Sequence, residues 1–474
     1  MNLRRVKILP VVVGVVLVSA VSFGPRYITH TSTRSRVVAG EQATGGTATS
    51  TTDAAGKDAA GRTSTKAGIR GGSLGCARGR NGGATDVGVT GTSIKLGATV
   101  VRTGIGATFL GEVPVALDAV KNRVNREGGI CGRLLSLQMV NDEWKADVGE
   151  GVIRKFIADG AFALAVSPSS QGLDAAIRAG DISKAGIPVV GADGMLISQY
   201  TDPWVWPVAA STITAMHVMA KDAAARGAKT FGLVYDQSYH FGVEGASAFR
   251  GALSRIFPGQ DVLKADVPVE AYKSDYKNKV EEFNTGCDPC DFVAMLLEPP
   301  TALQWIRDGG SFGSMAGGTG GPQPLFVDSF ARVCGTKCNG MWVWTGYSPP
   351  IAPFDDVPGV VKYTNDVKAQ KSTTDVNNPF VEGGYLGMEL LVQALRDVGP
   401  DLTRARLRSA LDHMTLDRSL SQPLQWRSGN HFANNSVQAF SIVINAGSFS
   451  AWRWESQQTG WQSDPWPGQD APKR

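Results

Sequence analysis

Short apolar runs of strand length alternate with stripes of helical period along this chain, and the alternation comes in two series. No other feature limits the possible folds as strongly. The first series opens with residues 93–101 (SIKLGATVV). Val113, Leu117, Val120 and Val124 then recur every three to four residues, one face of a helix, and Gly128-Gly129 ends it. A strand at 134–140, a helix through Val148, Val152 and Phe156, a strand at 162–166, a helix over 173–185 and a strand at 187–191 follow. After Pro207 the order restarts with a helix through Ala215, Met216, Met219 and Ala223. Strands at 231–235, 262–267 and 292–297 then alternate with helices at 243–256, 275–283 and 301–308. Apolar strands this short, joined by helices, belong to a parallel sheet covered on both faces. The fold class is therefore α/β, with two such lobes. Later strands are expected at 325–327, 341–345, 440–444 and 451–454, and a long helix over 381–398.

The flanking segments read differently. Arg4, Arg5 and Lys7 precede an apolar run over 8–24, the order of an export signal. The run is long for a cleaved signal and slightly short for a span, so residues 1–28 read as a signal peptide or a membrane anchor. Residues 29–86 are rich in Thr, Ser, Ala and Gly with almost nothing apolar, the composition of a flexible tether. The tail over 457–474 is polar with Trp and Pro and is expected to be loose. A net charge of +4 spread along the chain excludes the basic stripe of a nucleic-acid binder. Cys76, Cys131, Cys287, Cys290, Cys334 and Cys338 all follow the apolar run, and outside the cell disulfides are the default. Close spacing favours Cys287 with Cys290 and Cys334 with Cys338, leaving Cys76 for Cys131. Zinc at the Cys287/Cys290 pair is the rival, weakened by the distance to the second pair.

Ligands of open α/β sheets sit beyond the carboxyl ends of the strands. Five loops qualify: 102–108 (RTGIGAT), 167–171 (SPSSQ), 192–194 (ADG), 236–242 (DQSYHFG) and 298–301 (EPPT). They offer Thr103, Ser169, Ser170, Gln171, Asp193, Gly194, Tyr239, Phe241 and Glu298 as candidate ligand contacts. Ser169 and Ser170 suit either a helix cap or an anion held by hydroxyls and free backbone N–H groups. Asp193 and Glu298 are solvated loop acids or partners for an ammonium or hydroxyl. Tyr239, His240 and Phe241 either pack on their lobe or wall a ligand. Motifs for catalysis are poor. Residues 309–313 (GGSFG) and 71–75 (GGSLG) match GxSxG, but neither sits between a strand and a helix as a nucleophile elbow must. The five histidines show no metal-ligand spacing, and the GxG of the first loop lacks a third glycine in register, so no cofactor is expected.

At these loops a resemblance emerges. Gly88-Val89-Thr90 precedes Ile94-Lys95-Leu96-Gly97, and Asn125-Arg126-Glu127-Gly128-Gly129-Ile130-Cys131-Gly132-Arg133 ends the first helix. Asn141-Asp142, Ala185-Gly186-Ile187-Pro188, Val234-Tyr235-Asp236 before Phe241-Gly242, and Gly384-Tyr385-Leu386-Gly387 follow in order. On these residues the chain resembles the type I solute-binding proteins of ABC transporters, in the branched-chain amino acid (leucine/isoleucine/valine-binding) class. The resemblance implies a periplasmic binding protein of type I: two Rossmann-like, doubly wound lobes joined by a three-crossover hinge. Lobe 1 would hold 88–208 and 347–426, and lobe 2 would hold 209–346 and 427–456. It implies capture of a small polar ligand, an amino acid or a related molecule, by hinge closure outside the cytoplasm, with ABC permease subunits as partners. The family's carboxylate grip falls here on Ser169, Ser170 and Gln171, aided by Asp193 and Gly194. Phe241 supplies the aromatic of the second lobe, and Glu298 or Asp328 the acid for an ammonium. The chain departs from the family in its Ser-Pro-Ser-Ser-Gln loop and in Phe241, which stands where a tyrosine is common. Both departures argue against a small aliphatic amino acid. A tethered sensor or scaffold, and a secreted hydrolase built on Ser311, are the rival classes; no enzymatic activity is expected.

Overall fold

The computed structural model describes Cys76 and residues 81–165, 168–193, 195–287, 289–456 and 460–471. The export-signal segment and most of the tether lie outside these residues. The first sheet holds β1 (Ser93–Val100), β2 (Leu134–Asn141), β3 (Ala163–Ala165), β4 (Val189–Ala192) and β5 (Val205–Pro207). All are parallel, in the order β2-β1-β3-β4-β5. β3 and β4 are wholly buried and carry only Ala, Leu, Val and Gly, as strands covered on both faces must.

The second sheet is mixed. β6 (Phe231–Asp236), β7 (Leu263–Val269), β8 (Phe292–Leu296), β9 (Thr319–Gly321) and β10 (Trp342–Thr345) are parallel. A short ribbon of β11 (Thr415–Leu416) and β12 (Leu424–Gln425) stands apart. The antiparallel β13 (Ser436–Asn445), β14 (Ser448–Trp454) and β15 (Gln462–Ser463) complete the sheet, in the order β14-β13-β10-β9-β8-β6-β7 with β15 on β13.

The chain passes between the sheets after β5, after β10 and before β13. Between the last two passages, helices Pro358–Gln370 and Pro379–Val398 pack on helix Val113–Arg126, and the longer one also covers β4. Gly191, with φ +84°, is pressed there against Gly387; a Cβ on it would lie 2.4 Å from the Gly387 Cα. Buried side chains stitch the passages together. Asn434 Nδ2 donates to the carbonyls of Val208 (3.2 Å) and Gly346 (3.1 Å), and Trp426 Nε1 donates to that of Pro207 (3.0 Å).

The strand expected at 325–327 is instead a 3-10 turn, Gln323–Leu325, and β9 forms in the glycine-rich stretch before it. Pro322 and Pro324 lack the N–H that a central ladder needs. Gly320 sits where a Cβ would meet the Trp344 ring at 2.5 Å, so hydrophobic patterning could not reveal this strand. The helix expected over 173–185 is two, Ser170–Arg178 and Asp181–Ala185, separated at Gly180 (φ +75°). Disulfides join Cys76 to Cys131, Cys287 to Cys290 and Cys334 to Cys338.

Both flanks are held more firmly than their composition suggested. The tether reading does not extend to residue 86. The fully buried Arg133 donates to the carbonyls of Asn81, Gly83 (2.9 Å), Thr90 (2.8 Å) and Pro400 (3.0 Å), and Thr85 donates to that of Leu402 (2.5 Å). Nor is the tail loose over 460–471. Buried His217, in helix Thr212–Ala225, is hydrogen-bonded to Asp464 (2.9 Å) and Asp470 (3.0 Å), and Asp470 also takes Arg255. A buried imidazole that loses both carboxylates is left uncompensated. Truncation after residue 456 is therefore expected to cost about 2–4 kcal/mol of unfolding free energy. Chemical denaturation reads this, and an unchanged midpoint would mean that the docked tail adds nothing.

Candidate functional site

A tight cavity with about 30 Å³ of free space, room for a water or two, lies between the carboxyl ends of the two sheets. The first lobe lines it with Phe109, Leu110, Trp144, Pro168, Ser170, Asp193, Met195 and Phe380. The second contributes Thr212, Phe241, Glu298 and Pro324. Trp144 is the keystone. Its ring stacks on Tyr239 of the opposite lobe (4.6 Å between centroids) and meets Phe109 edge-on at 5.2 Å. Its Nε1 donates to the Ser170 hydroxyl at 3.3 Å, and its backbone N–H donates to the Asp142 carboxylate at 3.0 Å. Burial pushes that Asp142 carboxyl up to about 6, against the pull of the Ser169 hydroxyl. Gly106 lets the 102–108 loop lie on the indole, where a Cβ would come within 3.2 Å of the ring.

The backbone around the cavity is strained. Glu143 (φ +57°), Trp144 (+59°), Met195 (+67°) and Tyr272 (+60°) all adopt the left-handed region without being glycine. Each costs about 1 kcal/mol or more, and such strain gathers where a site must be held in shape.

Two buried acids face this largely apolar space. Asp193 Oδ1 accepts the Tyr347 hydroxyl at 2.6 Å, while Oδ2 has no partner. Neither oxygen of Glu298 makes a well-formed hydrogen bond, although the Asp236 carboxyl and the Thr301 hydroxyl lie beside it. Burial holds both carboxyls well above the usual range, and the neighbouring Asp236 pushes Glu298 further. Among the described residues, no Lys, Arg or His lines the cavity.

The pattern of the family described as periplasmic binding protein matches residues 93–448. The chain belongs to that family. Its fold is the periplasmic binding protein type I fold, shared with solved structures at low identity. A possible leucine/isoleucine/valine-binding protein from Rhodopirellula baltica superposes with a TM-score of 0.66 at 17% identity, covering 76% of this chain and 96% of that one. A fatty acid ABC transporter substrate-binding protein from Thermomonospora curvata gives 0.65 at 16%, covering 84% and 98%. A solute-binding protein from R. palustris in complex with 4-hydroxybenzoate gives 0.62 at 14%, covering 75% and 95%. No curated protein matches the chain. Membership implies a place outside the cytoplasm. No described helix is long and apolar enough to cross a membrane, and the 8–24 run lies outside the described residues.

For a binding protein of this type, the interlobe cavity is where the expected contacts can be placed. Ser170, Asp193, Phe241 and Glu298 line it, and Tyr239 stacks on its Trp144 wall. Thr103, Ser169, Gln171 and Asp328 do not line it. Thr103 is exposed on the rim, accepting Asn141 Nδ2 at 2.7 Å, and Ser169 turns to Asp142. Gln171 is buried outside the lining, and Gly194 lies outside the described residues. Asp328 belongs to a separate groove with Arg332, Glu112 and Asp375, and accepts the Trp452 indole at 3.0 Å. Ser311 donates to Asn284 at 2.7 Å, an arrangement without a base. Sequence reasoning missed Trp144, whose loop follows β2 and so satisfied the same strand-end rule. It also missed Phe109, Met195 and Phe380, which read as ordinary core.

A polar latch joins the lobes beside the cavity. His240 Nδ1 meets Asp174 at 2.7 Å, and Asp174 also takes Arg178 (2.7 Å) and Ser198. Burial opposes ionisation of Asp174, but the hydrogen bonds from His240, Arg178 and Ser198 prevail and hold it at about 2. The bond to Asp174 raises His240 above its ordinary value. Separated lobes lack this bond. Its contribution to closure is thus fully present below about pH 6.5 and is lost as pH rises through the raised value. Glu244, which accepts the Ile197 N–H at 2.8 Å and is pushed up to about 7 by burial, acts with the same sign at lower pH. Because His240 is half-exposed, the effect is modest. Ligand affinity of the wild type over His240→Ala is expected to be about 2- to 5-fold at pH 6 and to fall toward one at alkaline pH. A ratio constant across that range would remove the latch from the account.

Proposed function

We propose that this protein captures a small organic solute in its interlobe cavity by closure of the two lobes, outside the cytoplasm, and hands it to the permease of an ABC importer. One observation carries the reading: the cavity wall is shared between the lobes, with Trp144 and Ser170 on one side and Phe241 and Glu298 on the other. A ligand seated there touches both halves, so it favours the closed arrangement through contacts the separated lobes cannot make. The ABC-transporter context of structures with the same fold supports the delivery step. An uncleaved 8–24 segment would keep the protein at the membrane surface, near a permease.

A thermal-shift screen of amino acids, amides, amines, short-chain acids and sugars tests the reading. A solute that binds only the folded state adds about 2.7 kcal/mol at a hundredfold excess over Kd, which appears as a clear rise in Tm. A screen in which no class shifts Tm would count against solute capture.

A further inference from the structure

We propose that the groove beside the cavity is a second ligand site of the cleft, built for a neutral, polyhydroxylated solute of the sugar class. This rests on the solute-binding reading and adds a compartment to it. The groove holds about 530 Å³ of free space, within the range for small-molecule sites, whereas the cavity admits only a water or two. Phe109 lines both, so the two spaces share a wall. Both lobes build the groove. The first supplies Thr108, Glu112, Lys368 and the 373–378 segment, and the second supplies Asp328, Ser329 and Arg332. Asp375 joins the two sides, because its carboxyl accepts the backbone N–H of Asp328 from the opposite lobe. A solute in the groove therefore touches both lobes, as capture by closure requires.

The lining selects the class of solute. Three acids and three bases meet at the groove, so its formal charges balance. Lys371 Nζ donates to Glu112 at 2.8 Å and Arg332 donates to Asp328 at 3.1 Å. Lys368, whose Nζ donates to the Thr374 carbonyl at 2.6 Å, offsets Asp375. A charged solute finds no net opposite charge there and has to compete with an existing pair. Hydrogen-bonding capacity, by contrast, is left over. Thr374 Oγ1 belongs to a fully buried residue that lines the groove, and it has no hydrogen-bond partner. A buried polar atom in that state costs about 1–3 kcal/mol. A hydroxyl both gives and takes a hydrogen bond, so a solute hydroxyl satisfies it in either sense. The Lys368 ammonium has three N–H donors and the Arg332 guanidinium five, more than their protein acceptors take. Phe109 and Val376 offer apolar surface to the C–H face of a ring. A solute dense in hydroxyls answers donors and acceptors together without bringing charge.

The test is isothermal titration of the full chain with glucose, galactose, trehalose and myo-inositol, each hexose alongside its uronate and its 2-amino derivative. At least one neutral compound is expected to bind, and a hexose that binds should do so about 10-fold or more tightly than its charged forms. Thr374→Val keeps the shape and removes the hydroxyl. It should weaken the sugar about 3- to 10-fold with the Tm of the unliganded protein unchanged. Arg332→Met alters a side chain that is 62% exposed and should weaken it about 3-fold or more. If Thr374→Val lowers the Tm, Arg332→Met carries the test. Failure of every neutral compound to bind would overturn the proposal. So would tighter binding of a charged form, or a sugar affinity that neither variant moves. The solute-capture reading survives each of these results if another solute raises Tm, and fails only if none does.

Discussion

Replacing Trp144 with alanine is expected to weaken binding of the ligand by about 30- to 1,000-fold, the range for a central aromatic anchor, while leaving the fold intact. The indole bridges the two lobes at the cavity. It lines the cavity, stacks on Tyr239 across the lobes, meets Phe109 and bonds Ser170. Its removal deletes ligand contact and interlobe contact together, so the loss exceeds that for Phe109 or Phe380, whose rings belong to one lobe's wall. The backbone at position 144 has φ +59° in either case, so alanine inherits the strain, and the comparison isolates the ring. Titration with whichever solute the screen identifies, alongside denaturation of the variant, measures both parts. A fall of less than about threefold would mean that the ligand sits elsewhere.

Replacing Arg133 with alanine is expected to act on stability instead, costing at least about 3 kcal/mol. The guanidinium reaches four backbone carbonyls from three separate segments: Asn81 and Gly83, Thr90, and Pro400. It therefore ties the start of the folded chain and the end of helix Pro379–Val398 to the turn before β2. Without it those four carbonyls lose a charged donor that holds three segments together. Denaturant titration reads the loss. Limited proteolysis should show new cleavage near residues 81–90, because that segment is freed first. Lysine, with a single ammonium in place of a planar fork, should recover only part of the stability. A variant as stable as the wild type would show that these carbonyls find other partners.

Much of the fold was legible because the parallel strands are short apolar runs and the helices between them carry clean stripes. β1 to β4, β6 to β8 and β10 all lie within or close to the runs that announced them. β9 was not legible, because two of its three residues are glycines, Gly320 against the Trp344 ring and Gly321 against Leu325, placed by close packing rather than by hydrophobicity. The docked tail was hidden for a similar reason. Asp464, Trp466 and Asp470 read as a polar, exposed segment until His217 and Arg255 are seen to receive them. Asp464 is as buried as many core residues.

For the site, the strand-end rule located Ser170, Asp193, Phe241 and Glu298, which line one cavity although more than a hundred residues separate the first from the last. The rule names loops, not which side chain in a loop turns inward, so Ser169 and Gln171 were proposed beside Ser170 on equal terms. Phe109 and Phe380 sit near helix starts, where an apolar residue carries no mark that separates cavity wall from core. The character of the pocket was also out of reach. Whether Asp193 and Glu298 are solvated or fully buried is a property of packing, and no loop sequence carries it.

The central claim is that the two lobes close on a solute held between Trp144 and Glu298. Small-angle X-ray scattering of the protein with and without the solute that raises its Tm tests this most directly. The expected result is a smaller radius of gyration with solute, and a bound profile that fits the structure with Trp144 stacked on Tyr239. Identical profiles at saturating solute would contradict capture by closure.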